Sequence, residues 1–235
     1  MVDSNYLSVN NLHAYYGESH ILHGINFHVK QGECLSLLGR NGAGRTTTLR
    51  AIMGLTGKRT GSININGTET IKLSTHKIAQ LGVGYCPEER GIYSSLTCEE
   101  NLLMPPVVSS GGMSIEEIYE MFPNLKERRH SQGTRMSGGE QQMLAMARIL
   151  RTGAKLLLLD EISEGLAPVI VDRLGEIICA LKKKAFTIIL VEQNFKFAAP
   201  LADRMVIIEH GQVCLEVNQQ DLAAKQNEMF ELLGV

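Results

Sequence analysis

Short apolar runs and longer stretches with helical spacing alternate along most of the chain. Residues 34–38 (CLSLL), 156–160 (LLLLD) and 186–191 (FTIILV) are apolar without alternation. Runs of this kind read as strands buried on both faces, and helical stretches flank the last two. Buried strands interleaved with helices predict a parallel sheet. The first part of the chain follows a different rule. Residues 6–9, 25–29 and 61–65 alternate (Ile25, Phe27, Val29; Ile63, Ile65), with Gly and Asn turns between them. That pattern predicts a small antiparallel sheet beside the parallel one.

Residues 98–150 read as helical. Thr97-x-x-Glu100, Ser114-x-x-Glu117 and Ser137-x-x-Glu140 each fit a capping box, in which a hydroxyl and a carboxylate satisfy backbone N–H groups at a helix start. The stretch is expected to be a helical insertion. No low-complexity linker and no internal repeat divides the chain.

Composition narrows the class. A length of 235 residues suits one large α/β domain or two small ones. Aromatic residues make up 5% and Trp is absent, so the core must be aliphatic. A net charge of -2 gives no electrostatic reason to expect nucleic acid as a partner. The five cysteines (Cys34, Cys86, Cys98, Cys179, Cys214) are odd in number and lack C-x-x-C spacing. They are expected to be reduced thiols in a reducing compartment. The opening MVDSNYLSVNNL has no basic segment followed by an apolar one, so no secretory signal is expected. No apolar run approaches the ~20 residues of a membrane span. Any membrane role is expected to come through a partner.

Three segments carry chemistry. The first is GRNGAGRTT, comprising Gly39, Arg40, Asn41, Gly42, Ala43, Gly44, Arg45, Thr46 and Thr47. It follows a buried strand and opens a helix from about Thr46, the context a phosphate-binding loop requires. Glycines let successive N–H groups face a phosphate without Cβ clashes, and the helix N-terminus adds partial positive charge. The Thr46 hydroxyl is placed to ligate Mg²⁺. Arg45 stands where such loops carry lysine.

The second segment, KLLLLDE, delivers Asp160 and Glu161 to the C-terminal edge of a strand, where open α/β sheets bind ligands. Asp160 suits Mg²⁺, directly or through water. Glu161 suits a general base acting on an attacking water. The third, MSGGEQQMLAMARIL, places Ser137, Gly138 and Gly139 at a helix start whose free N–H groups can hold an anion.

This third segment resembles the signature of the ATP-binding cassette family, Ser-Gly-Gly-x-Gln opening a helix. The three segments stand in the family's order, and the resemblance covers nearly the whole chain. It implies a P-loop NTPase nucleotide-binding domain: a single α/β unit over residues 1–235, with an antiparallel β subdomain and a helical subdomain. The core would comprise 1–87 and 151–235, and the helical subdomain about 88–150. It implies ATP and Mg²⁺ as cofactors, with Tyr16 stacking on adenine. SEGLAP, Ser163 to Pro168, would touch a second ATP-binding subunit.

YCPEERGIYSSLTCEENL resembles the lid segment, with Glu88 where most relatives carry Gln. LVEQN resembles the switch strand, with Gln193 where His is usual. Both substitutions, with EGLAP and LADR, resemble the smaller ATPase subunits of branched-chain amino acid importers; urea and short-chain amide importers are close by. The resemblance therefore implies an ATPase at the cytoplasmic face of the plasma (inner) membrane, peripheral to permease subunits. A homo- or heterodimer would sandwich ATP between residues 39–47 and the partner subunit's residues 137–139. An extracytoplasmic solute-binding protein would act indirectly.

Arg45 for lysine, Ile162 for proline and Gln193 for histidine depart from the wider pattern. Arginine keeps the charge but is longer, planar and forked. It allows a second expectation, a hydrolysis-impaired subunit paired with an active ATPase. A soluble cassette of DNA repair or translation would call for long coiled-coil insertions or a second cassette, and neither is present in the sequence.

Overall fold

The computed structural model describes residues 5–234. The chain begins with β1 (Asn5–Tyr16), β2 (Ser19–Lys30), β3 (Cys34–Leu38), α1 (Arg45–Ile52), β4 (Lys58–Ile65), β5 (Thr68–Glu69), α2 (Thr75–Ala79) and β6 (Val83–Cys86). A helical stretch follows: α3 (Cys98–Leu103), α4 (Ile115–Met121), α5 (Pro123–Glu127) and α6 (Gly138–Arg151). It closes with β7 (Leu156–Asp160), α7 (Pro168–Lys183), β8 (Thr187–Val191), α8 (Phe195–Ala198), β9 (Arg204–Glu209), β10 (Gln212–Asn218) and α9 (Leu222–Leu233).

The strands form two sheets. The first has the order β2-β1-β4-β5 and is antiparallel throughout. The second has the order β10-β9-β3-β8-β7-β6 and is parallel except for β10 against β9. Every residue of β3, β7 and β8 is buried, as apolar runs without alternation require.

Successive side chains of the central strands point to opposite faces. Leu35, Leu37, Leu156, Leu158 and Ile189 face the antiparallel sheet, and meet Leu7, Val9, Ile25 and Ile63 together with Leu49 and Ile52 of α1. Leu157, Leu159, Ile188 and Leu190 face the other way, onto Leu144 and Leu150 of α6 and Leu174, Ile178 and Leu181 of α7. Each such aliphatic side chain contributes ~1.5–3 kcal/mol by leaving water. Helix α1 is thus clamped between the sheets, which fixes the loop before it.

All three anticipated capping boxes form, at Thr97/Glu100, Ser114/Glu117 and Ser137/Glu140. The stretch is less continuous than its spacing suggests. Residues 104–114 leave the helix, where Pro105–Pro106 withdraw backbone donors and Gly111–Gly112 favour turns.

Strands β6, β9 and β10 lie outside the strands that the sequence pattern predicts. The four-residue strand β6 contains Gly84, which propensity argues against. A Cβ there would come within 3.0 Å of Ile149 Cβ and 3.1 Å of Ala154 Cβ, so the glycine permits close approach of α6.

Candidate functional site

The loop of residues 39–44 joins β3 to α1. A Cβ at Gly39 would sit 2.3 Å from the Ile208 carbonyl oxygen, and one at Gly44 2.8 Å from Leu22 Cδ2. Gly44 also has φ 108° at the N-cap of α1. Neither position tolerates a side chain. The start of α1 has no side-chain cap and no acidic residue in its first turn, so its N–H groups remain open to an anion.

A cavity of about 520 Å³ lies over this loop. Asn41, Gly42, Ala43, Gly44, Arg45, Thr46 and Thr47 line it, with Arg50, Glu88, Glu161, Glu164, Gln193 and Ile21. Beneath it, Thr46 Oγ1 donates to Asp160 Oδ1 at 2.9 Å, and the Tyr85 hydroxyl donates to Asp160 Oδ2 at 2.9 Å. Asp160 is wholly buried. Burial pushes its carboxyl above the ordinary value; the Thr46 and Tyr85 hydrogen bonds oppose that, and Glu161 adds to it.

Glu161 follows at the strand end. Its φ of 48° lies in the left-handed region, uncommon for a residue with a side chain and often a mark of functional geometry. Both carboxylate oxygens are engaged. Arg45 Nη2 donates to Oε1 at 2.9 Å, and Gln193 Nε2 donates to Oε2 at 2.7 Å. Arg45 is 4% exposed and Glu161 9%, so this is a buried ion pair. Burial lowers the Arg45 pKa, and the neighbouring acids, Glu161 foremost, oppose that. Arg45 Nη1 is buried without a hydrogen-bond partner.

These residues fit Mg²⁺ and a phosphate chain. A hydroxyl and a carboxylate in contact form the oxygen-only donor set that Mg²⁺ takes. Open helix N–H groups and an unpartnered buried guanidinium N–H suit phosphate oxygens. Glu88, Glu161 and Glu164 bring carboxylate oxygens within 4.8 Å of one another at the cavity rim. A hydrogen bond with Glu161 raises the Glu164 pKa.

Other anticipated residues lie apart. Tyr16 ends β1, is 39% exposed and does not line the cavity. Ser137 caps α6 and lines a separate depression with Pro123, Asn124 and Ile170; Gly138 and Gly139 open the helix beside it. The Arg40 side chain turns to α9, where Nη2 donates to the Glu231 carbonyl at 3.3 Å. Gly39 and Arg40 line a neighbouring cavity with Phe195 and Phe230.

Tyr85, Arg50 and Glu164 escaped the sequence reading as site residues. So did Glu192, a buried residue of the switch segment directly after β8, whose carboxylate accepts from Ser163 N at 3.1 Å and Ser163 Oγ at 2.7 Å. Burial lifts its pKa to about 7. Tyr85, Arg50 and Glu192 act through partners 75, 39 and 29 residues away (Asp160, Glu89 and Ser163), which no local pattern marks; Glu164 meets Glu161 within the same short segment.

The sequence profile of the ABC transporter family matches residues 22–164. The chain belongs to the ABC transporter family. Two relatives of the cassette are similar over nearly their full lengths. The high-affinity branched-chain amino acid transport ATP-binding protein BraG of Pseudomonas aeruginosa is 41% identical over 212 residues, covering 89% of this chain and 91% of that protein. The probable branched-chain amino acid transport ATP-binding protein LivF of Archaeoglobus fulgidus is 34% identical over 229 residues, covering 94% and 95%. Among solved structures, an ATP-binding subunit of an ABC transporter superposes with a TM-score of 0.81 at 27% identity, covering 98% of this chain and all of that one. A dimeric ATP-binding cassette bound to ADP and Pi superposes with a TM-score of 0.79 at 22% identity, covering 91% and 98%, and shares the fold. The architecture and the match agree that this is an ABC ATP-binding cassette. Among the described residues, no helix of the cassette is long and apolar enough to cross a membrane.

Proposed function

We propose that this cassette is the ATP-hydrolysing subunit of an importer for branched-chain or related amino acids, seated on permease subunits at the cytoplasmic face of the membrane. The observation that carries the catalytic part is the contact of Thr46 with Asp160 under an open helix N-terminus, with Glu161 beside it. The amino-acid part rests on the two relatives, which are ATP-binding proteins of branched-chain amino acid transport.

In this reading the N–H groups of residues 39–47 bind the phosphate chain of ATP, and Tyr16 stacks on adenine. Thr46 and Asp160 would hold Mg²⁺, which would supply charge neutralisation at the phosphate chain. Glu161 accepts a proton from the attacking water. Gln193 orients the Glu161 carboxylate, and Glu88 faces the nucleotide from the lid segment. Ser137, Gly138 and Gly139 serve a neighbouring subunit's nucleotide, in keeping with their distance from this chain's own loop. Closure on ATP and opening after hydrolysis drive the permease.

The Arg45–Glu161 pair supports a second reading, a cassette that binds ATP and hydrolyses it slowly beside an active partner. The guanidinium occupies the base that must meet water, so each turnover has to break a buried ion pair.

Two measurements test the proposal. Uptake of labelled leucine, isoleucine and valine should fall when the cassette is deleted and return with the intact gene, while urea and short-chain amide uptake stays unchanged. Loss of urea or amide uptake instead would overturn the amino-acid assignment. Steady-state ATPase activity of the complete transporter should require Mg²⁺ and fall when Glu161 is replaced by Gln. A variant as active as the parent would remove Glu161 from its role.

A further inference from the structure

On the β1–β2 hairpin, outside the residues that line the nucleotide cavity, three histidines gather, and no role described so far uses them. His13 Nδ1 lies 3.1 Å from His20 Nε2. The His23 ring stands 4.0 Å, centroid to centroid, from that of His20, and His23 is the cross-strand partner of His13. We infer that His13 and His20, joined by His23, form a binding site for a borderline divalent transition cation of the Zn²⁺ class.

The spacing is that of a chelate. Two imidazole nitrogens sharing a tetrahedral Zn²⁺ at about 2.0–2.1 Å stand roughly 3.3 Å apart. The present 3.1 Å contact has one shared proton between two lone pairs; a cation takes the proton's place. Neutral imidazole is also the donor such cations favour.

The surroundings orient the donors. His13 Nε2 lies 3.2 Å from Asn11 Oδ1, an acceptor that places the His13 proton on Nε2 and leaves the Nδ1 lone pair free. Asn11 is itself held: its backbone is left-handed at φ 46°, its N–H donates to Asn26 Oδ1 at 2.8 Å, and it sits where β1 slips register. A Cβ at Gly24 would approach Asn11 Oδ1 to 2.9 Å, so the glycine makes room for this carboxamide. The His20 ring stacks on Tyr15 at 4.2 Å and 11°. Two ligands are therefore oriented already. His23 is exposed on the same face and closes the set by turning its side chain.

The experiment uses the full, untagged chain stripped of metal and titrated with Zn²⁺ by calorimetry, with Co²⁺ absorption as a second reporter of imidazole ligation. One Zn²⁺ per chain is expected. Affinity should fall by about tenfold or more in His13→Asn and in His20→Asn, and less in His23→Gln or Asn11→Ala. Glu88→Gln and Glu164→Gln should leave it unchanged. In the unaltered chain, Zn²⁺ should protect His13 and His20 from diethyl pyrocarbonate, a readout that does not depend on the variants folding. No saturable binding, equal binding in the His13→Asn/His20→Asn double variant, loss of binding in the Glu variants, or no protection would each overturn the site.

Discussion

Two helix starts in this chain look alike in sequence and differ in physics. Both α1 and α6 open after small residues and hold candidate nucleotide contacts. Helix α1 has a left-handed glycine at its N-cap, no side-chain cap and a buried arginine as its first residue. Helix α6 has a complete capping box, with Glu140 N donating to Ser137 Oγ at 3.3 Å and Ser137 N donating to Glu140 Oε2 at 2.7 Å. The first is left electrostatically unfinished within its own chain, and a charge on a ligand completes it. The second is structurally finished, and only its glycine N–H groups remain to offer. An incomplete helix end in a cavity marks where the chain's own ligand goes; a complete one on the surface fits recognition of something brought by a neighbour.

The largest expected effect attacks the α1 side. Glu161→Gln should lower turnover by at least about 10²-fold, the scale of a lost general base, while ATP binding persists. It should also lower the stability of the nucleotide-free chain by about 3 kcal/mol, because Arg45 remains buried without its counter-charge. Stopped ATPase assays and thermal melts with and without Mg·ATP check both parts. A parental rate would break the assignment.

The next effect attacks the α6 side. Ser137→Arg should reduce turnover of the assembled transporter by about 10²-fold, comparable to loss of an anion-stabilising donor. Nucleotide affinity of the isolated cassette should not change, because its own loop is untouched. Equal loss in both assays would erase the contrast between the two helix starts.

Arg45→Lys comes third. A shorter point charge releases Glu161 and reaches phosphate without a guanidinium's demand for paired contacts. The ATPase rate of the complete complex should rise by about tenfold, or ~1.4 kcal/mol of barrier. Nucleotide affinity should change by less. An unchanged or lower rate would show a site adapted to arginine and remove the support for slow hydrolysis.

The smallest effect concerns stability on the buried side alone. Glu192 keeps its proton up to about pH 7 in the fold and releases it near the ordinary carboxylate value when unfolded. Between those values the folded state binds more protons. The stability this group contributes is therefore full below the unfolded value and lost as pH rises through about 7. Glu192→Gln should escape that loss. Its melting point should exceed the parent's by roughly 5 °C at pH 8 and match it near pH 4. A difference independent of pH would separate Glu192 from the effect.

The sequence spoke clearly where a feature is local. The buried strands, the glycine loop and the three capping boxes each live within a few residues, and each formed. Features that join distant residues stayed silent. Arg45 departs from the usual lysine in plain view, but its pairing with Glu161 spans 116 residues. Tyr85 reaches Asp160 across 75. Strand β6 was hidden because Gly84 serves packing against α6 rather than strand propensity. Strand β9 begins inside LADR, at Arg204, and this charged start masks the apolar run behind it.

The Gly84 contact has a mechanical consequence. With no side chain as a cushion, α6 bears on β6 almost backbone to backbone, and β6 is hydrogen-bonded to β7, which ends in Asp160. Ser137 lies twelve residues from the fulcrum at Ile149, a lever arm of about 18 Å at 1.5 Å per residue. A tilt of about 5° at the fulcrum moves the serine by roughly 1.6 Å, more than half the length of a hydrogen bond. The stiff joint lets a small rotation at the sheet edge make or break contact at the far tip of the rod.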